Sequence, residues 1–176
     1  GNQGRDQRWT IRARLTSPTT LELARNEAGT AVTVAWQVIQ IQDATVQSNV
    51  AQINNGNNAV VVPITAVDLT KTFVVFTRRA ATGAQGREGR YQVRGELTNA
   101  TTLTFSRAVN NNNAGNVEIA WFVVTLNDGT TVQRGTTTVN AGSGFRDVPL
   151  APIVVNRSFP IVSVSGGTNG SSTHLD

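Results

Sequence analysis

The sequence predicts an all-β protein built as two tandem antiparallel β-sandwich repeats of about 82–86 residues each. Three observations predict it. The 176-residue chain is rich in Thr, Val, Asn and Gly and has no Cys or Met, a vocabulary of strands and tight turns. Apolar and polar residues alternate over short runs bounded by turn residues, and no run carries a helical period. The chain also spells one pattern twice: VAWQVIQIQDATVQ at 34–47 returns as IAWFVVTLNDGTTVQ at 119–133.

The repetition extends over most of the chain. Residues 1–25 lie over 83–107 at a constant offset of 82, with identities that include Arg5/Arg87, Arg8/Arg90, Arg12/Arg94, Leu21/Leu103 and Arg25/Arg107. An insertion in the Asn-rich stretch 110–113 moves the offset to 85 at Trp36/Trp121. One more residue in the turn Asn127-Asp128-Gly129 moves it to 86 for Val46/Val132, Gln47/Gln133, Pro63/Pro149 and Phe73/Phe159. Insertions confined to turns are what two copies of one fold accumulate.

Taken in order, the first strand of each copy alternates Trp9, Ile11, Ala13 and Leu15 with polar neighbours, matched by Tyr91, Val93, Gly95 and Leu97. Leu21 and Leu23 answer Leu103 and Phe105. Val32, Val34, Trp36 and Val38 form an inward row answered by Val117, Ile119, Trp121 and Val123. Val60, Val62 and Ile64 match Arg146, Val148 and Leu150; Phe73 and Val75 match Phe159 and Ile161. Breaks fall at Asn26–Gly29, Asn54–Asn58, Asn110–Gly115, Asn127–Gly129 and Ala141–Gly144, all turn chemistry. Pro63, Pro149 and Pro160 predict edge or bulged strands. The expected domains are a first sandwich over 1–77, an Arg/Gly-rich connector over 78–90, a second sandwich over 91–164 and a flexible tail over 165–176.

Around the two tryptophans the opposite strand face is apolar as well: Ile39 and Ile41 in one copy, Phe122, Val124 and Leu126 in the other. Strands apolar on both faces are normally buried on both, so these residues mark an expected contact between sandwiches, within or between chains. The amino-terminal GNQGRDQR repeats the connector GAQGREGR, as if another copy preceded it. Two readings stay open: a segment of a periodic pattern that docks head to tail, or a duplication with functionless ends. The opening Gly raises the expectation of a processed product or an excerpt. Arg5 and Arg8 in the amino-terminal copy of the connector, Trp9 just after it, and Arg87 and Arg90 in the connector itself are candidate assembly residues. The adjacent acids favour an Arg–carboxylate clamp over an anion- or partner-binding loop. Removing residues 1–8 is then expected to abolish assembly.

Other function classes fare poorly. The only histidine, His174, lies in a Gly/Ser/Thr tail, and without Cys the usual nucleophile–base pairs and nitrogen-rich metal sites cannot be assembled. Acids persist only at Asp6/Glu88 and Asp43/Asp128, and the second pair sits in a hairpin turn that lacks the oxygens of a calcium loop. No enzyme activity, cofactor or metal is expected. The formal charge of +4 rests on Arg, Lys71 being the only lysine, and the aromatics occupy core-type positions, so no nucleic acid is expected. No apolar run nears the ~20 residues of a membrane span. Charged residues make up only 15% of the chain, a neutral Thr/Asn/Gln surface that leans towards an extracellular, cell-surface or virion setting. Sequons at Asn99, Asn156 and Asn169 leave glycosylation open.

Read from the middle, VQSNVAQI…AVVVPITAV…TFVVFT…YQVRGEL…TTLTFSR…VEIAWFVV (46–124) resembles the H-type lectin pattern, circularly shifted with half-units on either side. Asn49 replaces the family's Gly in the opening motif (VQRG at 132–135 fits better), and the family's disulfide is missing. The resemblance implies a small antiparallel sandwich and, as an alternative function, binding of galactose-type sugars. It assigns no sugar-contacting residue. The leading expectation is a non-enzymatic structural protein whose partners are copies of itself, forming a surface fibre or filament. A glycan-binding module and a virion decoration or tail-fibre protein are the alternatives.

Overall fold

Local turn chemistry closes the hairpins. The computed structural model describes residues 10–26, 29, 31–80, 91–108 and 115–166. Its strands are β1 (Arg12–Ser17), β2 (Thr20–Ala24), β3 (Ala44–Ile53), β4 (Ala59–Pro63), β5 (Thr72–Ala80), β6 (Arg94–Asn99), β7 (Thr102–Ser106) and β8 (Val117–Leu126). Among the described residues the only helical element is one 3-10 turn, Val155–Arg157. The protein is all-β.

The hairpins β1–β2 and β6–β7 are the same object made twice. Arg12 faces Ala24 and Leu15 faces Leu21, with a bulge before Ser17; Arg94 faces Ser106 and Leu97 faces Leu103, with a bulge before Asn99. Each tight turn is held by its own side-chain oxygen. The Thr19 N–H donates to Ser17 Oγ at 3.2 Å and the Thr101 N–H to Asn99 Oδ1 at 2.9 Å.

Six strands form two three-stranded antiparallel sheets, ordered β3-β8-β5 and β4-β7-β6. They share one core that includes Ile53, Leu97, Leu103, Phe105, Val117, Ile119, Trp121 and Val123. Phe76 and Phe105 meet edge to face, ring centroids 5.2 Å apart. Edge strand β4 ends in Pro63. Neither sheet is drawn from one repeat: β3, β4 and β5 belong to the first, β6, β7 and β8 to the second. Alternation could not foresee this, because both copies carry the same pattern and either could supply the partner edge.

β8 is buried on both faces. Val117, Ile119, Trp121 and Val123 face the core, and Ala120, Val124 and Leu126 are buried on the reverse. Against that reverse side sits the β1–β2 hairpin. The Ala13 N–H donates to Thr77 Oγ1 at 2.8 Å, and that hydroxyl donates back to Ala13 O at 2.9 Å. Arg12 pairs with Glu22 and Glu118, Arg14 with Glu22 at 2.9 Å, and Arg79 with Glu118 at 3.1 Å. The inward row expected for β1 is therefore inverted in part: Arg12 is buried and Leu15 exposed. Acids supplied by β2 and β8 neutralise the guanidinium, which sequence alternation alone could not show.

The expected strands over 32–38, 146–150 and 159–161 do not form ladders. Residues 31–41 and 130–154 follow the repeat pattern without strand partners and stay outside the sheets. Their failure is one of pairing, not of pattern.

Candidate assembly surface

Residues 10–41 and 130–164 each repeat half of the complete unit 44–126. The first half holds β1, β2 and the Trp36 segment, the counterparts of β6, β7 and β8. The second holds the counterparts of β3, β4 and β5. Among the described residues, both halves therefore carry core-type side chains that stay exposed. Trp36 is 62% exposed where its counterpart Trp121 is 5% exposed. Val38 is 52% exposed against 0% for Val123, and Leu23 is 40% against 0% for Phe105. Val139 is 55% exposed, and its counterpart Ile53 is 0%. Phe145, Val148, Leu150, Phe159, Ile161, Val162 and Val164 extend the apolar surface of the second half. Single exposed hydrophobes are ordinary, but contiguous sets of this size mark interaction surfaces.

The candidate residues from the sequence divide into three groups. Ile39 and Ile41 are exposed on the Trp36 segment. Val124 and Leu126 are buried and Phe122 half-buried on β8, on the side where the β1–β2 hairpin sits. Arg5, Arg8, Trp9, Arg87 and Arg90 lie outside the described residues, as do His174 and Asn169. Trp36, taken from its alternation as a core residue, is instead an exposed indole.

Two residues were underrated at the sequence level. Arg107 is buried and holds a collar of carbonyls. Nε donates to Asn57 O, Nη1 to Gly115 O and Nη2 to Asn54 O, each at 2.8 Å. The retained pair Arg25/Arg107 was the available signal. The other is Gly95, where an added Cβ would lie 2.7 Å from Phe105 Cε1 and 2.9 Å from Phe76 Cε1. A larger residue there would collide with the edge-to-face ring pair.

Of the acidic candidates, Asp43 and Asp128 lie in a turn and a bend, while Asp6 and Glu88 lie outside the described residues. Asp128 Oδ1 accepts the Thr130 N–H at 2.8 Å, and hydrogen bonding from Thr130 lowers its carboxyl below the ordinary value of 3.8. Asp68 does the same with Thr70. The Asp43 carbonyl accepts the Asn127 N–H at 2.7 Å, which prolongs the β3–β8 ladder by one step. Among the described residues no group of three or more His, Cys, Asp or Glu is placed to hold a metal, and no helix is long and apolar enough to cross a membrane. Asn99 and Asn156 are both exposed.

One recess of about 660 Å³ opens between β3 and β4, lined by Gln47, Ser48, Asn49, Val62, Pro63, Ile64, Thr65 and Trp121. Trp121 lines it, and the indole Nε1 is buried without a hydrogen-bond partner. Comparison with family models, with characterised proteins and with solved structures finds no match for the chain.

Proposed function

We propose that the protein is a non-enzymatic structural subunit that assembles head to tail with copies of itself into an extracellular or surface fibre. The observation that carries this is the pairing of Trp36 with Trp121: the same side chain, in the same local pattern, is covered in the complete unit and bare in the half-unit. In the assembled state each chain accounts for two tandem sandwiches, one complete in itself and one shared. The low-charge, Thr/Asn-rich surface supports an extracellular or surface setting. Sedimentation velocity and negative-stain microscopy at rising concentration test the reading. The expected result is linear particles that lengthen with concentration; a monodisperse monomer throughout overturns it.

A second reading, a carbohydrate-binding module, is favoured by the recess beside Trp121, where Ser48 and Asn49 line one opening together with Val62, Pro63 and Ile64. Saturable binding on a glycan array by dispersed monomers, lost in Asn49→Ala, would select it over the fibre.

A further inference from the structure

We propose that residues 10–41 of one molecule and 130–164 of a second copy fold together into a six-stranded sandwich of the same build as 44–126. This rests on the head-to-tail reading and specifies its joint. The internal repeat supplies the template, since 44–80 and 94–126 show what each half looks like when it has found its mate.

Parts of both orphan halves already hold the mated conformation. The β1–β2 register reproduces β6–β7 pair for pair. In the other half, Gly142 has the φ of +82° seen at Gly56, and the Ser143 N–H reaches Asn140 O at 3.1 Å as the Asn57 N–H reaches Asn54 O at 3.0 Å. Gln133 clasps the Ala151 backbone at 3.0 and 2.8 Å, as Gln47 clasps Thr65 at 3.0 and 2.8 Å. A pre-shaped half loses little entropy on pairing.

The side chains match in volume as well. In the complete unit Gly95 makes room for Phe76 and Phe105. The corresponding trio is Ala13, Val162 and Leu23: the added methyl at 13 meets two smaller side chains, one of them from the opposite half. Arg25 likewise corresponds to Arg107, and the turn 140–143 corresponds to the turn 54–57, whose Asn54 and Asn57 carbonyls Arg107 binds.

The occupant is a second copy because the two halves leave the central unit by the same step. The first is stitched to it through Ala13 and Thr77. The second is stitched through the corresponding residues Gly95 and Ser163, the Gly95 N–H donating to Ser163 Oγ at 3.1 Å. A step taken twice in the same sense carries the second half onward to the next molecule, the head-to-tail contact that makes rings or filaments. Carrying the register across places Ile41 opposite Thr130, Trp36 between Gly135 and Val162, Thr33 opposite Thr138 and Leu21 opposite Val148. It also sets Asp147 opposite Glu22, where Arg12 and Arg14 already supply the compensating charge.

The chain has no cysteine, so the register can be read by cross-linking. Thr33→Cys and Thr138→Cys change exposed polar positions. Mixed and oxidised, the two single variants are expected to give a disulfide-linked heterodimer, and Thr33→Cys with Thr131→Cys, about 23 Å out of register, is not. Arg25→Ala is expected to lower the yield about tenfold with the melting of the central unit unchanged. Assemblies in the sedimentation experiment without this cross-link overturn the exchanged sandwich and leave head-to-tail assembly standing; no assemblies and no cross-link overturn both. A monomeric Thr33→Cys/Thr138→Cys double variant that closes on itself shows that the mate is the chain's own other half and overturns the exchange.

Discussion

Trp36 and Trp121 are one residue placed in two environments, and the difference is measurable. Trp121→Ala empties a filled core and is expected to cost about 3–5 kcal/mol of unfolding free energy. Trp36→Ala removes an exposed ring and is expected to leave urea unfolding of the central unit unchanged while abolishing concentration-dependent sedimentation. Equal losses of stability from both would mean that Trp36 is covered within the monomer. Gly95 gives a second test at this scale. Gly95→Ala pushes a methyl against Phe105 and Phe76 and is expected to cost about 1–3 kcal/mol. Adding Phe105→Leu, which restores the Ala13/Leu23 combination, should recover part of that loss in thermal melting. A full penalty in the double variant would place the strain elsewhere.

The β1–β2 hairpin is held to the central unit by charge and a hydroxyl more than by apolar packing. Arg12 and Arg79 converge on Glu118, and Arg12 and Arg14 on Glu22. The hydrogen bond from Arg14, with the nearby positive charges, holds the Glu22 carboxyl below its ordinary value of 4.5. A lowered folded-state value means that the contribution is fully present above 4.5 and is lost as pH falls through the depressed value. Acidification is therefore expected to loosen the pairing of β1 with β2 before the central core melts. Hydrogen exchange, corrected for intrinsic rate, should show residues 12–24 losing protection at a higher pH than residues 117–126. Simultaneous loss would show that the hairpin and core unfold as one unit. The turns at Asp68 and Asp128 follow the same sign, since their carboxyls are lowered by hydrogen bonds from Thr70 and Thr130.

For the whole molecule, the surfaces left to be covered are apolar: Trp36, Val38 and Ile39 on one half, Val148, Phe159 and Val162 on the other. A joint made from them should resist salt. At about 1 M salt, where the Debye length is about 3 Å, polymer mass in sedimentation is expected to hold or increase, because burial of apolar surface is not screened. Dissolution at high salt would mean that exposed ion pairs hold the assembly, and would shift attention to the Arg-rich connectors.

The sequence by itself determined the vocabulary of the fold. Alternation located β1, β2 and β4 to β8 but not β3, and the offset of 82 to 86 showed that one unit is written twice. The named turn residues did not include the tight turns at 18–19 and 100–101 that close the two hairpins. The reverse face of β8 was legible too, because a strand apolar on both sides needs cover on both. Which strand pairs with which was not legible. Pairing is a contest between chemically equivalent edges, and two copies of one pattern offer each edge two suitors of nearly equal merit. Only the tertiary structure decided that β8 takes β3 and β5 from the preceding repeat, that Arg12 is buried among acids, and that Trp36 is left bare. The physical reason is that burial depends on what arrives from elsewhere in the chain, while alternation records only which side of a strand expects it.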